Sequence, residues 1–288
     1  MKAGSGFSIS IGGKSLCQPD YAVEVCSQTG LLRRNPTLSD EELDFYYANA
    51  EWWRHCFPRL FPTEELLRSA LLKNLPKDAA VLDVGCGDGR FLSYLPDSFR
   101  KYGTELSEGA AQAAMAKGVE IVAHEQVLAG VYGQFDALIL VDVFEHLRDP
   151  HEFLQSMLGC LKPGGLIGVS TGDGDHCMAT GDPKNFWYWR TPVHLSMVTE
   201  KYCRFAERDL GWERVYQARS SHYPLTAGLW ARQSAQKFAY EIWHGGKYEW
   251  LQPVAGLLPW LRRAKHWRQR PVFWYGPDHV VTVWRTAG

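Results

Sequence analysis

Residues 81–89 read VLDVGCGDG, an apolar run that passes straight into three glycines. Val81, Leu82 and Val84 give the unbroken hydrophobic pattern of a strand buried on both faces. Gly85, Gly87 and Gly89 let the backbone turn sharply and come close to a ligand. A helical pattern begins at once with Arg90, Phe91, Leu92, Tyr94 and Leu95. Its free N–H groups then face whatever lies on the turn.

Spacing and charge narrow the ligand. A dinucleotide fingerprint is G-x-G-x-x-G, and from Gly85 its third glycine falls on position 90, which is Arg90. Asp83 precedes the turn and Asp88 lies within it. These acids repel a pyrophosphate and attract a ligand that carries an ammonium and a sulfonium. The next strand ends at Glu105, where an acid can accept hydrogen bonds from both ribose hydroxyls. Together these features describe a site for S-adenosyl-L-methionine (SAM).

Outward from the turn, strand and helix patterns alternate. Strands are expected at 80–84, 101–105, 119–123, 136–141, 166–170 and 212–217, and helices at 88–95, 107–117, 149–161 and 197–209. Such alternation implies a parallel sheet with helices on both faces, and ligands then sit at the carboxyl ends of the strands. On the N-terminal side, Ser39-Asp-Glu-Glu42 is a capping box for a helix to about Trp53. Thr63 is expected to open another, with Leu66, Leu67, Ala70, Leu71 and Leu75 on one face. Tyr46, Tyr47, Trp52, Trp53 and His55 are candidates to face a pocket.

The chain resembles the class I SAM-dependent methyltransferases over roughly residues 60–217 and the last strand. VLDVGCGDGR resembles their first motif, GTELS (103–107) their second, FDALILVDVFEHLRDP (135–150) their fourth-strand motif and LKPGGLIGVST (161–171) their fifth-strand motif. Residues 185–212 resemble a W…P-x-H-L…GW pattern in a subgroup acting on quinones, sugars and other small molecules. The resemblance implies an α/β, Rossmann-like, seven-stranded, mostly parallel sheet whose last strand, 279–284, returns antiparallel at the sheet edge. It implies an enzyme that methylates a small molecule, most readily at a hydroxyl, and releases S-adenosyl-L-homocysteine. Asp83, Gly85, Cys86 and Gly87 would hold the aminoacyl group, Glu105 the ribose and Leu106 the adenine. Glu125 matches the place of an acid near the adenine amino group, although His124-Glu125 departs from the usual Gly-Asp pair. Relatives in the subgroup begin with a zinc ribbon ending C-x-x-C-G-L. Here Cys26-Ser-Gln-Thr29-Gly30-Leu31 has Thr29 in place of the second cysteine, and Cys17 lies outside ligand spacing. The reading is a metal-free remnant.

The expected organisation is a small β-unit at 1–36, a helical cap at 37–78, a SAM-binding core at 79–218, a helical insertion at 219–270 and the final core strand in 271–288. A net charge of −1 excludes a nucleic-acid binder by bulk electrostatics. The charge is uneven, however. Residues 219–270 hold nine Lys or Arg against Glu241 and Glu249, a local +7, whereas residues 1–218 carry −8. Trp230, Trp243, Trp250, Trp260 and Trp267 punctuate that basic stretch, with helices expected at 226–243 and 248–267. Two readings fit: a lid with a solvated basic face, or an interface for a membrane surface or an acidic acceptor, including sugar- and lipid-linked ones. Seven scattered cysteines, without a signal peptide before them, read as reduced cytoplasmic thiols.

Methyl transfer from a sulfonium needs orientation and, for a hydroxyl acceptor, removal of a proton. The fourth strand ends at Asp142, where the activated methyl is expected. His146 and His194 are the candidate bases, and either also reads as a loop brace. The loop with Asp173, Asp175, His176, Phe186, Trp187, Tyr188 and Trp189 is where acceptor recognition is expected. Two alternatives stand beside the enzyme: an inactive methyltransferase-like scaffold and a nicotinamide oxidoreductase, the latter disfavoured by Arg90 and the acids of the turn.

Overall fold

Ala80–Val84 is buried at every position and is paired on both edges, to Phe135–Val141 on one side and Arg100–Thr104 on the other. The computed structural model that shows this describes residues 3–4, 6–49, 59–130, 134–179, 186–267, 271 and 276–287. The strand lies inside a seven-stranded sheet, next to its central strand Phe135–Val141. The sheet runs Glu213–Ser220, His279–Arg285, Leu161–Gly172, Phe135–Val141, Ala80–Val84, Arg100–Thr104 and Glu120–Ile121. His279–Arg285 is antiparallel to both of its neighbours, and the other pairings are parallel.

The last strand is antiparallel as expected, but it does not lie at the edge. It is inserted between Leu161–Gly172 and Glu213–Ser220. Its composition gives the reason. His279 to Trp284 are buried without interruption, whereas Glu213–Ser220 carries Glu213, Arg214 and Arg219 and is mostly half-buried. A charged strand blunts an open edge.

Side chains alternate across the sheet and fill two apolar layers. Leu82, Leu138, Leu140, Ile167 and Val169 face one layer, where Tyr202, Cys203 and Ala206 of helix Glu200–Leu210 cover them. Val81, Ala137, Ile139, Leu166, Val281 and Val283 face the other, under Leu67 and Leu71 of helix Pro62–Asn74. A Cβ at Gly168 would lie 2.8 Å from Leu67 Cδ1, so this helix sits directly on the sheet backbone. Helix Pro62–Asn74 starts at Pro62, earlier than Thr63, because the Glu64 carboxylate accepts the Phe61 N–H at 2.7 Å.

Several elements are shorter than the pattern implies. The helix after the glycine turn is Arg90–Ser93 and the third strand is Glu120–Ile121. Glu125 lies on the short helix His124–Leu128, not in an open loop. The capping box is formed: Ser39 N–H donates to Glu42 Oε2 at 2.9 Å and Glu42 N–H to Ser39 Oγ at 3.2 Å. The helix it opens is Asp40–Asn49, and Trp52, Trp53 and His55 lie outside the described residues.

The N-terminal strands are tied to the core. Phe7–Ile11 and Lys14–Gln18 form a hairpin. Ala3–Gly4, Tyr21–Val25 and Leu32–Asn35 form a second sheet with Ser196–Met197. Cys17 and Cys26 therefore fall in different units. Buried Arg34 donates to the carbonyls of Trp189 and Thr191, locking this sheet onto the segment before His194.

The insertion begins with helix Ala227–His244, capped by the Thr226 hydroxyl. The second expected helix is broken into Glu249–Leu251, Gln252–Ala255 and Pro259–Ala264. Pro253 and Pro259 lack the N–H that a continuous helix needs.

Candidate active site

Asp83, Gly85, Cys86, Gly87, Glu105, Leu106, Glu125, Asp142, His146 and His194 all line one cleft of about 790 Å3 at the carboxyl edge of the sheet. Gly85, Gly87 and Gly89 adopt φ of +65°, +57° and +72°, a region that costs other residues about 1 kcal/mol or more. A Cβ on Gly85 would also lie 2.9 Å from Val143 Cγ2. Gly85→Ala is expected to lower stability by about 1–3 kcal/mol, read as a drop in the denaturant midpoint.

The turn is held from the next strand. Cys86 N–H donates to the Thr104 carbonyl at 3.0 Å and Gly85 N–H to Thr104 Oγ1 at 3.3 Å. Glu105 accepts the Gly87 N–H at 2.9 Å through Oε2 and the Ser107 N–H at 2.7 Å through Oε1. Each carboxylate oxygen keeps a lone pair facing outward, so the carboxylate is fixed in place and still open to two hydroxyl donors. Cys86 packs against Gly103, and burial pushes its thiol pKa up. It therefore shapes the turn as a neutral group. Asp88 is paired with Lys117 at 2.5 Å and braces the turn from outside.

Asp83 is 2% exposed, and its Oδ1 finds no hydrogen-bond partner among the described residues. Burial, with the charges of Glu64 and Glu105 behind it, pushes its carboxyl well above the usual range. A buried acceptor without a donor calls for one, and an ammonium supplies both hydrogens and opposite charge. The donor set therefore fits SAM: Asp83 for the ammonium, Glu105 for the ribose diol, and exposed Leu106 as an apolar surface beside it. Glu125 and His124 border the same end, with His124 stacked on Phe153 at 5.6 Å.

The other end of the cleft is aromatic and rich in histidine. Asp142 is held at φ +52° by its N–H bond to the Ser170 carbonyl at 2.9 Å. Positive φ at a non-glycine residue marks strain of the kind found at functional sites. Its Oδ1 is also unpartnered among the described residues, and burial plus Glu145 raise its pKa. His146 Nδ1 lies 3.0 Å from the Val193 carbonyl and His194 Nδ1 lies 2.7 Å from the Tyr188 carbonyl. A carbonyl only accepts, so both Nδ1 atoms carry the proton and both Nε2 atoms present a lone pair when the rings are neutral. The two rings meet edge to face at 5.0 Å. Burial and the neighbouring His146 hold His194 well below the ordinary histidine value. Glu145, fully buried, accepts the Thr171 hydroxyl at 2.8 Å and the Tyr188 hydroxyl, and it anchors this corner.

Phe61, Glu64, Arg90, His222 and Tyr223 are among the lining residues not singled out for the site from the sequence. Glu64 is buried beneath the cleft and paired with Arg90, whose guanidinium lies over Phe61. His222 and Tyr223 enter from the start of the insertion. His222 Nε2 lies 3.8 Å from Asp142 Oδ2, and its ring stacks on His279 at 4.5 Å. Its Nδ1 has no partner among the described residues. Glu64 and Phe61 carry no motif, but His222 and Tyr223 follow the carboxyl end of a core strand, the edge where ligands bind. Tyr46 and Tyr47 do line the cleft, and the Tyr47 hydroxyl is buried and unpartnered among the described residues.

The loop expected to recognise the acceptor serves the core instead. Asp173 and Asp175 are bound to Arg219. Phe186, Tyr188 and Trp189 are buried with Tyr21 and Val23. From that loop, Thr191, Val193 and His194 reach the cleft.

A methyltransferase-domain family model matches residues 52–217. The ubiquinone biosynthesis O-methyltransferase of Xanthomonas axonopodis pv. citri is 31% identical over 260 residues, 81% of this chain and 90% of that protein. The enzyme of the same name from Caulobacter vibrioides is 34% identical over 100 residues, 32% of this chain and 40% of that protein. Among solved structures, a chain of the complex between the Haloferax volcanii Trm112 methyltransferase activator and a methyltransferase aligns with TM-score 0.54 and 17% identity. That alignment covers 86% of this chain and 98% of that chain.

Proposed function

We propose, for a chain that belongs to the methyltransferase-domain family, SAM-dependent methylation of a hydroxyl on a small molecule. The observation that carries the reading is the placement of unpartnered polar atoms. Asp83 Oδ1 lies at the cofactor end, and Asp142 Oδ1, Tyr47 Oη and His222 Nδ1 lie at the acceptor end of the same cleft. Bound SAM supplies an electrophilic methyl on a sulfonium that leaves as a neutral thioether. The chain supplies the rest. Asp83 and Glu105 fix the donor, and Tyr46, Tyr47, Phe61 and Tyr223 form apolar walls that exclude water. Nε2 of His146 or His194 is the atom that takes the acceptor's hydroxyl proton. The names of the Xanthomonas and Caulobacter relatives favour oxygen as the acceptor atom.

Two measurements test the reading. Glu105→Ala is expected to weaken SAM binding by about 10- to 100-fold in calorimetry, since two charge-assisted hydrogen bonds are lost. Unchanged affinity would contradict the ribose assignment. Labelled methyl transfer to matched phenols, sugars and amines should yield product with hydroxyl acceptors, and product confined to amines would overturn O-methylation.

A further inference from the structure

The returning half of the insertion has two unlike sides. Its inner side, Ala255, Leu261, Ala264 and Trp267, packs on Ala239, Ile242 and Trp243 of helix Ala227–His244. Trp243 Nε1 donates to the Leu261 carbonyl at 2.7 Å, and Gln252 Nε2 to the Ile242 carbonyl at 2.9 Å. Its outer side exposes large apolar groups within eleven consecutive residues: Trp250 at 74%, Val254 at 60%, Leu257 at 81%, Leu258 at 44% and Trp260 at 50%. Single exposed apolar residues are ordinary, whereas a run of this kind marks an interaction surface.

We propose that this outer face docks on the surface of an anionic lipid bilayer. Charge selects the occupant. Lys247 stands before the apolar run and Arg262, Arg263 and Lys265 stand after it, with Glu249 the single acid in 245–267. All four cations are exposed. Tryptophan and leucine at the tip with lysine and arginine beside them match the two layers of a membrane interface, acyl boundary and anionic headgroups. Residues 1–218 carry −8 against +7 in 219–270. An anionic leaflet therefore attracts this end and repels the rest, which fixes the orientation of approach.

The placement gives the contact a use. Among the described residues of 219–270, His222 and Tyr223 line the cleft, while residues 227–267 do not. Helix Ala227–His244 starts four residues after Tyr223 and spans about 27 Å. A bilayer gripping the outer face would hold the cleft rim about one helix length away, within reach of an acceptor that partitions into lipid.

Vesicle co-sedimentation of the full chain tests the docking without any activity assay, so its failure is distinct from failure of the methyl-transfer reading. Vesicles of phosphatidylcholine and phosphatidylglycerol in equal parts should bind at least about tenfold more protein than phosphatidylcholine alone, and added salt should narrow the difference. Leu257→Asp with Trp260→Asp should abolish binding while leaving SAM affinity intact, which shows that the variant is folded. Arg262→Gln with Arg263→Gln should lower it severalfold. Equal binding to both vesicle types, or binding that survives both double substitutions, would overturn the proposal. So would a dimer in lipid-free sedimentation that Leu257→Asp dissolves, because it would assign the face to a second copy of the chain.

Discussion

Asp83→Asn should deprive the protein of its methyl donor and make the donor-free protein more stable. The carboxyl is 2% exposed, and Glu64 and Glu105 bring like charge toward it. Its pKa is therefore raised in the native state. Between the ordinary carboxylate range and that raised value, the native state binds more protons than the unfolded chain. Stability then falls as pH rises through the window. Asparagine removes the charge and with it this slope. The midpoint of thermal unfolding should be higher for the variant at neutral pH, and the gap should close on acidification. SAM binding should move the other way. Losing one partner of a buried ion pair costs about 3 kcal/mol or more, about a hundredfold in Kd. Calorimetry and a pH series of melts read both effects. A variant that loses stability at neutral pH and keeps its affinity would remove Asp83 from the ammonium site.

This opposition between stability and binding explains why the cofactor half was legible in the sequence. A strand buried on both faces has no local use for an aspartate at its fourth position, so Asp83 announces a ligand. The glycines announce a positive φ in the same way. The sheet was legible for a related reason: its strands are apolar runs separated by capped helices. The last strand lies inside the sheet and not at its edge, and its buried run without Lys, Arg, Asp or Glu from His279 to Trp284, beside the charged Glu213–Ser220, contains the reason. Charge belongs on an exposed edge, and a strand paired on both sides carries little of it.

The acceptor half was legible only in part. Asp142, His146 and His194 sit next to recognisable strand ends and loops, and the structure brings them to one cleft. Phe61 and Glu64, at the start of helix Pro62–Asn74, and His222 and Tyr223, in the insertion, lie about 160 residues apart in sequence, and no local pattern pairs them. The aromatic loop 186–189 reads in sequence as a recognition surface because exposed and buried aromatics look alike there, whereas Phe186, Tyr188 and Trp189 are buried. Its packing partners, Tyr21 and Val23, lie in an N-terminal sheet whose register no local signal sets.

His146→Gln should lower kcat by about 10²- to 10⁴-fold, the range for loss of a positioned general base, and leave the SAM Kd within about threefold. The carbonyls of Val193 and Tyr188 fix the proton on Nδ1 of His146 and His194, so each offers Nε2 to an acceptor. What separates them is environment. His194 is held well below the ordinary histidine pKa by burial and by His146, so it stays neutral but is a weak proton acceptor. The acid limb of kcat against pH should therefore vanish in His146→Gln. In His194→Gln it should persist. Stability supplies an independent sign. A lowered native pKa means the unfolded chain binds more protons below about pH 6.5, so the native state loses stability as pH falls. His194→Gln should flatten that loss. If His194→Gln erased the acid limb and His146→Gln left it in place, the two histidines would exchange roles, with His194 as the base and His146 as the brace.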